Sequence, residues 1–328
     1  MSESNDPDPS RRLPSVLQEA TGWDVCRIDG LERLSGGASR ETWSFDAIEA
    51  SGTRHELILQ RLRDTLGFDR RSELGAELEV LVEAERAGAP VAHLVAGSSD
   101  ASTLGAPFLV TERLEGETLP QRILKDDAYA SARAGLAAWY GEALAKIQKI
   151  PLERVPSVTF LDPLKYCRES LDQSREVHPV LELGLRWLEA NRPATGDTVV
   201  VHGDFRSANC IVDPNGLKAI IDWELVHLGD PLEDMGWCCI RAWRYGHQLP
   251  VGGFGSYDEF IGAYESISGT QVDREALRWW QVAATVRWAV ICVLQAATHL
   301  SGRRRSIELA VVGRRACEAE FDLMLLLP

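Results

Sequence analysis

The chain has 328 residues, 45% of them hydrophobic and 26% charged, which is ordinary usage for a folded globular protein and enough length for two lobes. Its 35 basic and 49 acidic residues leave a net charge of −14, which argues against a general nucleic-acid surface because phosphate binding needs clustered Lys and Arg. The seven cysteines, Cys26, Cys167, Cys210, Cys238, Cys239, Cys292 and Cys317, form no C-x-x-C pair and have no histidine at zinc spacing. They read as small buried apolar residues in a reducing cytoplasm.

Residues 1–9 contain no apolar stretch of the kind a secretory signal needs and read as a short disordered tail, followed by a short helix over 14–20. A strand signal begins near Val25. Residues 34–45 then place Gly36 and Gly37, with small hydroxyl residues, between two strand-like runs. Such a loop can bring backbone N–H groups close to phosphates, and a simple hairpin has the same look. The Gly-Lys-Ser/Thr ending of a Walker A loop is missing, which disfavours a P-loop ATPase. Residues 56–63 read as a third strand. Residues 72–86 repeat Leu74, Leu78, Leu81 and Val82 at helical spacing and stop at Gly88 and Pro90. Residues 107–119 read as a buried strand running into a linker that contains Gly116. From Ala128 the pattern turns helical, over 132–150 and 180–190, each ending near a proline. Residues 279–300 are strongly apolar, but Gln281, Arg287 and Gln295 interrupt them, so a buried helix is expected and no membrane span.

The densest chemistry lies in residues 199–224. An apolar β-branched run, Val199-Val200-Val201, delivers His202-Gly203-Asp204, and Asn209 follows at the H-x-D-x-x-x-x-N spacing. Asp213-Pro214-Asn215-Gly216 is strong turn chemistry that would fold Ile220 and Ile221 back beside Ile211 and Val212. That hairpin would bring Asp222 close to Asn209. Phosphoryl transfer to an alcohol needs such a trio: a carboxylate to orient the hydroxyl and take its proton, and an amide oxygen and a second carboxylate to hold Mg²⁺ against ATP phosphates. A plain surface hairpin with scattered acids is the competing reading, and the joint spacing weighs against it.

In these residues the chain resembles the aminoglycoside phosphotransferase and choline kinase superfamily, the small-molecule relatives of protein kinases. The resemblance implies that Asp204 is the catalytic aspartate, with His202 bracing the loop and Arg206 beside it, and that Asn209 and Asp222 are the magnesium ligands. Trp223-Glu224 stands where protein kinases carry Phe-Gly, and nothing resembles their activation segment. The resemblance further implies that Gly36 and Gly37 belong to a nucleotide-positioning loop. A cation is expected on the third strand, paired with Glu77 of the following helix. The lysine usual at that place is absent, so Gln60 or Arg61 fills it depending on register, and Arg61 is preferred because an amide supplies no charge. Glu112 and Leu114 would read adenine through their main chain at a hinge, and Asp230 and Asp234 of Gly-Asp-Pro-x-x-Asp would be structural.

The expected fold is α+β and bilobal, protein-kinase-like: residues 1–24 a tail and short helix, 25–113 a small N-lobe with an antiparallel sheet, and 114–328 a larger, mostly helical C-lobe. The expected activity is ATP- and Mg²⁺-dependent phosphorylation of a hydroxyl on a small molecule, in the cytoplasm, without nucleic acid or membrane as partner. An aminoglycoside-modifying kinase and a nucleotide-binding pseudokinase are the alternatives. Arg241 and Arg244, with Trp237, Trp243 and Tyr245 as flat walls, favour a neutral or anionic acceptor such as an acyl thioester over a polycationic antibiotic, unless those arginines pair with Asp230, Glu233 or Asp234.

Overall fold

The computed structural model describes residues 9–34, 40–62, 74–174, 176–194 and 196–328. Strands β1 (Val25–Arg33), β2 (Arg40–Glu49), β3 (Arg54–Leu62), β4 (Leu94–Ser98) and β5 (Phe108–Glu112) form an antiparallel sheet in the order β1-β2-β3-β5-β4. Alternation along β3 sends Leu57 and Leu59 to one face, where they join Phe45, Phe108 and Val110. Helix α1 (Leu13–Thr21) closes that face with Leu13 and Leu17, both fully buried. The short helix grouped with the tail on sequence grounds is therefore part of the sheet's core. Helix α2 (Leu74–Arg86) packs Val80 and Leu81 with Leu109, which β5 presents on the opposite face.

The chain leaves the sheet at Glu112 and is pinned to the next lobe at once. Glu117 and Val212 exchange both backbone hydrogen bonds, at 2.8 and 3.0 Å. At Gly116 the linker passes so close to this lobe that a Cβ would come within 2.5 Å of the Ile211 side chain.

The second lobe holds α3 (Pro120–Lys125), α4 (Ala130–Ile147), α5 (Pro163–Ser174), α6 (Pro179–Ala190), α7 (Leu232–Cys238), α8 (Tyr257–Ser268), α9 (Arg274–Leu300), α10 (Ile307–Arg314) and α11 (Ala316–Leu326). Between α6 and α7 run two ribbons, β6 (Val199–Val201) with β9 (His227–Gly229), and β7 (Cys210–Asp213) with β8 (Gly216–Ile220). Capping chemistry starts the later helices. Ser256 and Glu259 make a reciprocal capping box on α8, and the Asp273 carboxylate accepts from the Glu275 and Ala276 amides at the head of α9. Tyr140 of α4 packs with Phe205 and Phe254 in the main core, while α9 buries Val282, Val286 and Val290 against Leu181 and Leu185 of α6 and Leu323 of α11. Among the described residues α9 alone is long and apolar enough to cross a membrane, and most of its apolar window is buried in this core.

Two expectations need correction. The β7–β8 register pairs Cys210 with Ile220 and Ile211 with Ala219, and a bulge follows between Ile211 and Val212, so Ile220 and Ile221 do not lie opposite Ile211 and Val212. Five of the seven cysteines are buried as expected, but Cys26 and Cys317 are exposed.

Candidate active site

The turn at Asp213 forms as its residues dictate: the Asp213 carboxylate accepts from the Asn215 and Gly216 amides at 2.7 and 2.9 Å. The hairpin then returns far enough for Ile221 N–H to bond the Asn209 carbonyl at 2.9 Å, which sets Asp222 next in line beside the catalytic loop. Asp222 itself lies at φ 67°, a left-handed conformation that Asp tolerates better than most side chains.

His202 is fully buried. Its Nε2–H donates to the Ile221 carbonyl at 3.1 Å, and its Nδ1 accepts from the Asp204 amide at 3.2 Å. The second bond needs the neutral ring, since a protonated Nδ1 could not accept. Burial supplies that condition by pushing the imidazole down to about 4, against the pull of Asp204. Gly203, at φ 85°, is required for the turn: a Cβ there would stand 2.4 Å from the Leu225 carbonyl. From α7, the Asp234 carboxylate accepts from the His202 and Gly203 amides at 2.7 and 3.0 Å. Burial raises Asp234 to about 6 and these amides hold it back from rising further.

The Asp204 carboxylate meets three donors. Arg206 Nε approaches its two oxygens at 2.9 and 3.1 Å, Asn209 Nδ2 reaches Oδ2 at 2.7 Å, and Trp237 Nε1 reaches Oδ1 at 2.9 Å. Asn209 Nδ2 also bonds the Asp204 carbonyl at 3.0 Å, so the amide nitrogen is committed to the loop and the amide oxygen is left as an acceptor. Asp222 is pushed up to about 7, by burial first and then by the Glu224 and Asp204 carboxylates, with Arg40 pulling the other way. A divalent cation suits this arrangement, since it would relieve the crowding of anionic oxygens. Among the described residues no group of three His, Cys, Asp or Glu side chains forms a cage, and Mg²⁺ beside phosphates needs none: one carboxylate and one amide oxygen suffice when phosphates and water complete its shell.

The strand cation is Arg40, and this corrects the expectation for Arg61. In the β2–β3 register Arg40 stands opposite Leu62 and Glu41 opposite Arg61, so parity sends Arg40 and Gln60 to the cleft face and Arg61 to the other. The Arg40 guanidinium forms an ion pair with Glu77, donates to Gln60 Oε1 at 3.2 Å and faces Glu224 at 3.6 Å, all while 6% exposed. Burial opposes its charge, and Glu77, Glu224 and Asp222 more than restore it. Its Nε is buried without a hydrogen-bond partner. Arg40, Gln60, Glu77, Thr111 and Asp222 line one small cleft. Arg61 instead bonds Glu41 at 3.1 Å and the Leu104 carbonyl at 3.1 Å, and lies 4.9 Å from the Trp43 ring centroid.

At the hinge, the Glu112 amide is spent inside the sheet on the His93 carbonyl at 3.0 Å, and its side chain accepts from the His93 amide at 3.1 Å. Leu114 follows the strand end, half-buried. Gly36 and Gly37 lie outside the described residues. A larger cavity of about 940 Å³ opens beside the loop of residues 202–209, and Tyr245 links the two: it lines the cavity, and its hydroxyl lies near Arg206. The other walls include Arg241, Arg244, His247, Trp288, Arg315, Glu318 and Asp322. Neither arginine singled out in sequence pairs with Asp230, Glu233 or Asp234. Arg241 faces Asp322 at 3.4 Å, and Arg244 donates twice to the Cys239 carbonyl, at 3.2 and 2.8 Å. Trp237 and Trp243 are core residues and not cavity walls, and α11 brings Glu318 and Asp322 to this cavity.

The family model described as "Phosphotransferase enzyme family" matches residues 30–280. The chain belongs to the phosphotransferase enzyme family. Solved structures show that the fold is the bilobal one of this family. A candidate aminoglycoside phosphotransferase from Ralstonia eutropha superposes with a TM-score of 0.76 at 18% identity, covering 96% of this chain and 97% of that one. An aminoglycoside phosphotransferase in ternary complex with AMP-PNP and hygromycin B gives 0.58 at 15% identity, over 94% and 98% of the two chains. Among curated proteins, acyl-CoA dehydrogenase family member 10 of Mus musculus is 28% identical over 252 residues, which are 71% of this chain and 23% of that protein. The chain therefore spans less than a quarter of that relative's length.

Sequence reasoning missed Arg40 altogether, and it took Trp237 for an acceptor wall and not for a partner of Asp204. Arg40 directly follows the Gly-Gly-Ala-Ser run, and only strand pairing shows which face it takes. Trp237 sits three positions after Asp234, a spacing that puts both on one helix face, and this signal was available in the sequence.

Proposed function

We propose that the chain transfers the γ-phosphoryl group of ATP, with Mg²⁺, to a hydroxyl of a small molecule, with Asp204 as the base. The observation that carries this reading is the convergence of Asp204, Asn209 and Asp222, all on one loop and the hairpin behind it, facing an arginine ion-paired to Glu77. Bound Mg²⁺ would neutralise and align the ATP phosphates. Asn209 and Asp222 would hold it, and Arg40, bridged by Glu77, would supply a positive charge to the phosphates from β2. Asp204 would orient the acceptor hydroxyl and take its proton as the oxygen attacks phosphorus and ADP leaves. The main chain around Glu112 and Leu114 would face the adenine, and the Gly36-Gly37 loop the phosphates. The complete trio supports turnover over a pseudokinase.

For the acceptor, the 940 Å³ cavity beside the loop supports a neutral or anionic molecule, an acyl thioester among them. Its two acids are each engaged, Asp322 by Arg241 and Glu318 by Arg315, whereas Arg244 spends its donors on a neutral carbonyl. The walls thus carry an excess positive charge in a chain of net charge −14. A polycation would be repelled there. The test is ATP consumption by the purified protein with Mg²⁺ against simple alcohols, hydroxyacyl thioesters and kanamycin-type compounds. Turnover of an uncharged or anionic alcohol is expected. Kanamycin turned over at a kcat/KM of about 10⁴ M⁻¹s⁻¹ or more would overturn the acceptor assignment, and no Mg²⁺-dependent consumption with any class would overturn the reaction.

A further inference from the structure

The geometry points to Trp237 as a positioning residue for Asp204: its indole N–H fixes the plane of the carboxylate that is to receive the acceptor's proton. This inference rests on the phosphoryl-transfer reading, in which Asp204 receives the hydroxyl proton.

Helix α7 grips the catalytic loop at two points one turn apart. Asp234 takes the backbone amides of His202 and Gly203, and Trp237, three residues on and so on the same helix face, donates to Asp204 Oδ1 at 2.9 Å. The other two donors to this carboxylate have competing duties. Arg206 shares its Nε between both oxygens and ends a long, partly exposed side chain, and Asn209 divides its amide nitrogen between the side chain and main chain of Asp204. Trp237 has no such freedom. It is 2% exposed, the Arg287 guanidinium lies 4.9 Å from its ring centroid, and Trp243 packs on it at 5.4 Å. Arg287 is itself held by Glu233 at 3.3 Å, in the first turn of the same helix.

An indole N–H donates and cannot accept or lose its proton near neutrality, so this bond has the same polarity before and after the acceptor's proton arrives. Trp243 extends the device, because the Arg206 guanidinium lies 4.7 Å from its ring centroid. The aromatic pair thus seats two of the three donors to Asp204. Pre-alignment of this kind acts on the reacting geometry and leaves the nucleotide, held across the cleft by other residues, untouched.

The experiment is Trp237→Phe, which keeps a ring in the core and deletes the donor. With a confirmed acceptor, kcat should fall by about 10- to 100-fold while the KM for ATP and the thermal midpoint stay near those of the parent protein. An unchanged kcat would overturn the proposal. So would a variant that loses kcat, ATP affinity and stability together, since that marks a packing role alone. A second arm needs no turnover: the indole N–H resonance that vanishes in Trp237→Phe should shift upfield in Asp204→Ala and stay in place in Asp322→Asn. A resonance indifferent to Asp204 would overturn the positioning role. If the parent protein phosphorylates nothing, the phosphoryl-transfer reading falls by itself, and the resonance still decides whether Trp237 holds Asp204.

Discussion

The two walls of the cleft are built on different principles. On the C-lobe side, Asp204, Asn209, Asp222 and the bracing His202 come from one stretch of 21 residues, His202 to Asp222, and are brought together across a tight loop and a hairpin, with α7 holding that loop from outside the stretch. On the N-lobe side, Arg40, Gln60 and Glu77 come from two strands and a helix, and meet only because the strands pair in one register. Local chain geometry decides the first wall, so residue type and spacing are enough to read it. The second depends on which face of a sheet each residue takes, and a shift of one residue reverses every answer.

The comparison can be broken most severely at the loop. Asp204→Ala should lower kcat by roughly 10²–10⁴-fold and leave ATP binding measured by calorimetry intact, because the residue acts on the acceptor. A variant with full kcat would remove Asp204 from the chemistry. Next in size is the sheet wall. Arg40→Ala should raise the KM for ATP by about tenfold or more, the usual cost of truncating one partner of a buried charge pair. Arg61→Ala, facing away, should lower the thermal midpoint and leave that KM unchanged. The opposite ordering would restore Arg61 as the phosphate cation and mean that the strand parity described above is wrong.

Asp222→Asn sharpens the distinction between base and metal ligand. Calorimetry should show that Mg²⁺ no longer strengthens ATP binding, since a neutral amide cannot balance the metal's charge. The same variant should gain stability in the absence of metal. A carboxyl raised from the ordinary range to about 7 contributes most at low pH and loses that contribution as pH rises through 7, so the gain should be larger at pH 8 than at pH 5. Equal midpoints for parent and variant at pH 8 would contradict it.

The smallest expected effect concerns the loop brace. His202 has a folded value lowered to about 4, so its contribution is complete above the unfolded value near 6.5 and is lost as pH falls toward 4. The loss is on the order of 3 kcal/mol at most, from the size of that shift. His202→Gln should therefore be less stable at pH 7.5 yet show a shallower fall between pH 6.5 and 4. Parallel pH profiles would mean that the ring does not stay neutral in the fold.

Residue order alone determined the strand, loop and hairpin around Asp204, the acids that start α7, the helical run of the second lobe and the turn at Asp213, because each depends on chemistry within a few positions of the chain. Glu77 was singled out among the acids of its helix by the family resemblance, not by residue order. Tertiary structure decided the partner of Glu77, since parity across β2 and β3 places Arg40 in the cleft and turns Arg61 toward Trp43. It decided the fate of the aromatic cluster too. Trp237 and Trp243 are apolar side chains that any core could absorb, and only the docking of α7 against the catalytic loop aims an indole N–H at Asp204. One acid of the cavity wall was equally invisible, because Asp322 reaches Arg241 only after α11 folds back along α9, whereas Glu318 meets Arg315 three positions away on the same helix end. Contacts between residues far apart in the chain carry no local signature, and in this protein they set the charge around Arg40 in the cleft and much of the charge of the cavity beside Tyr245.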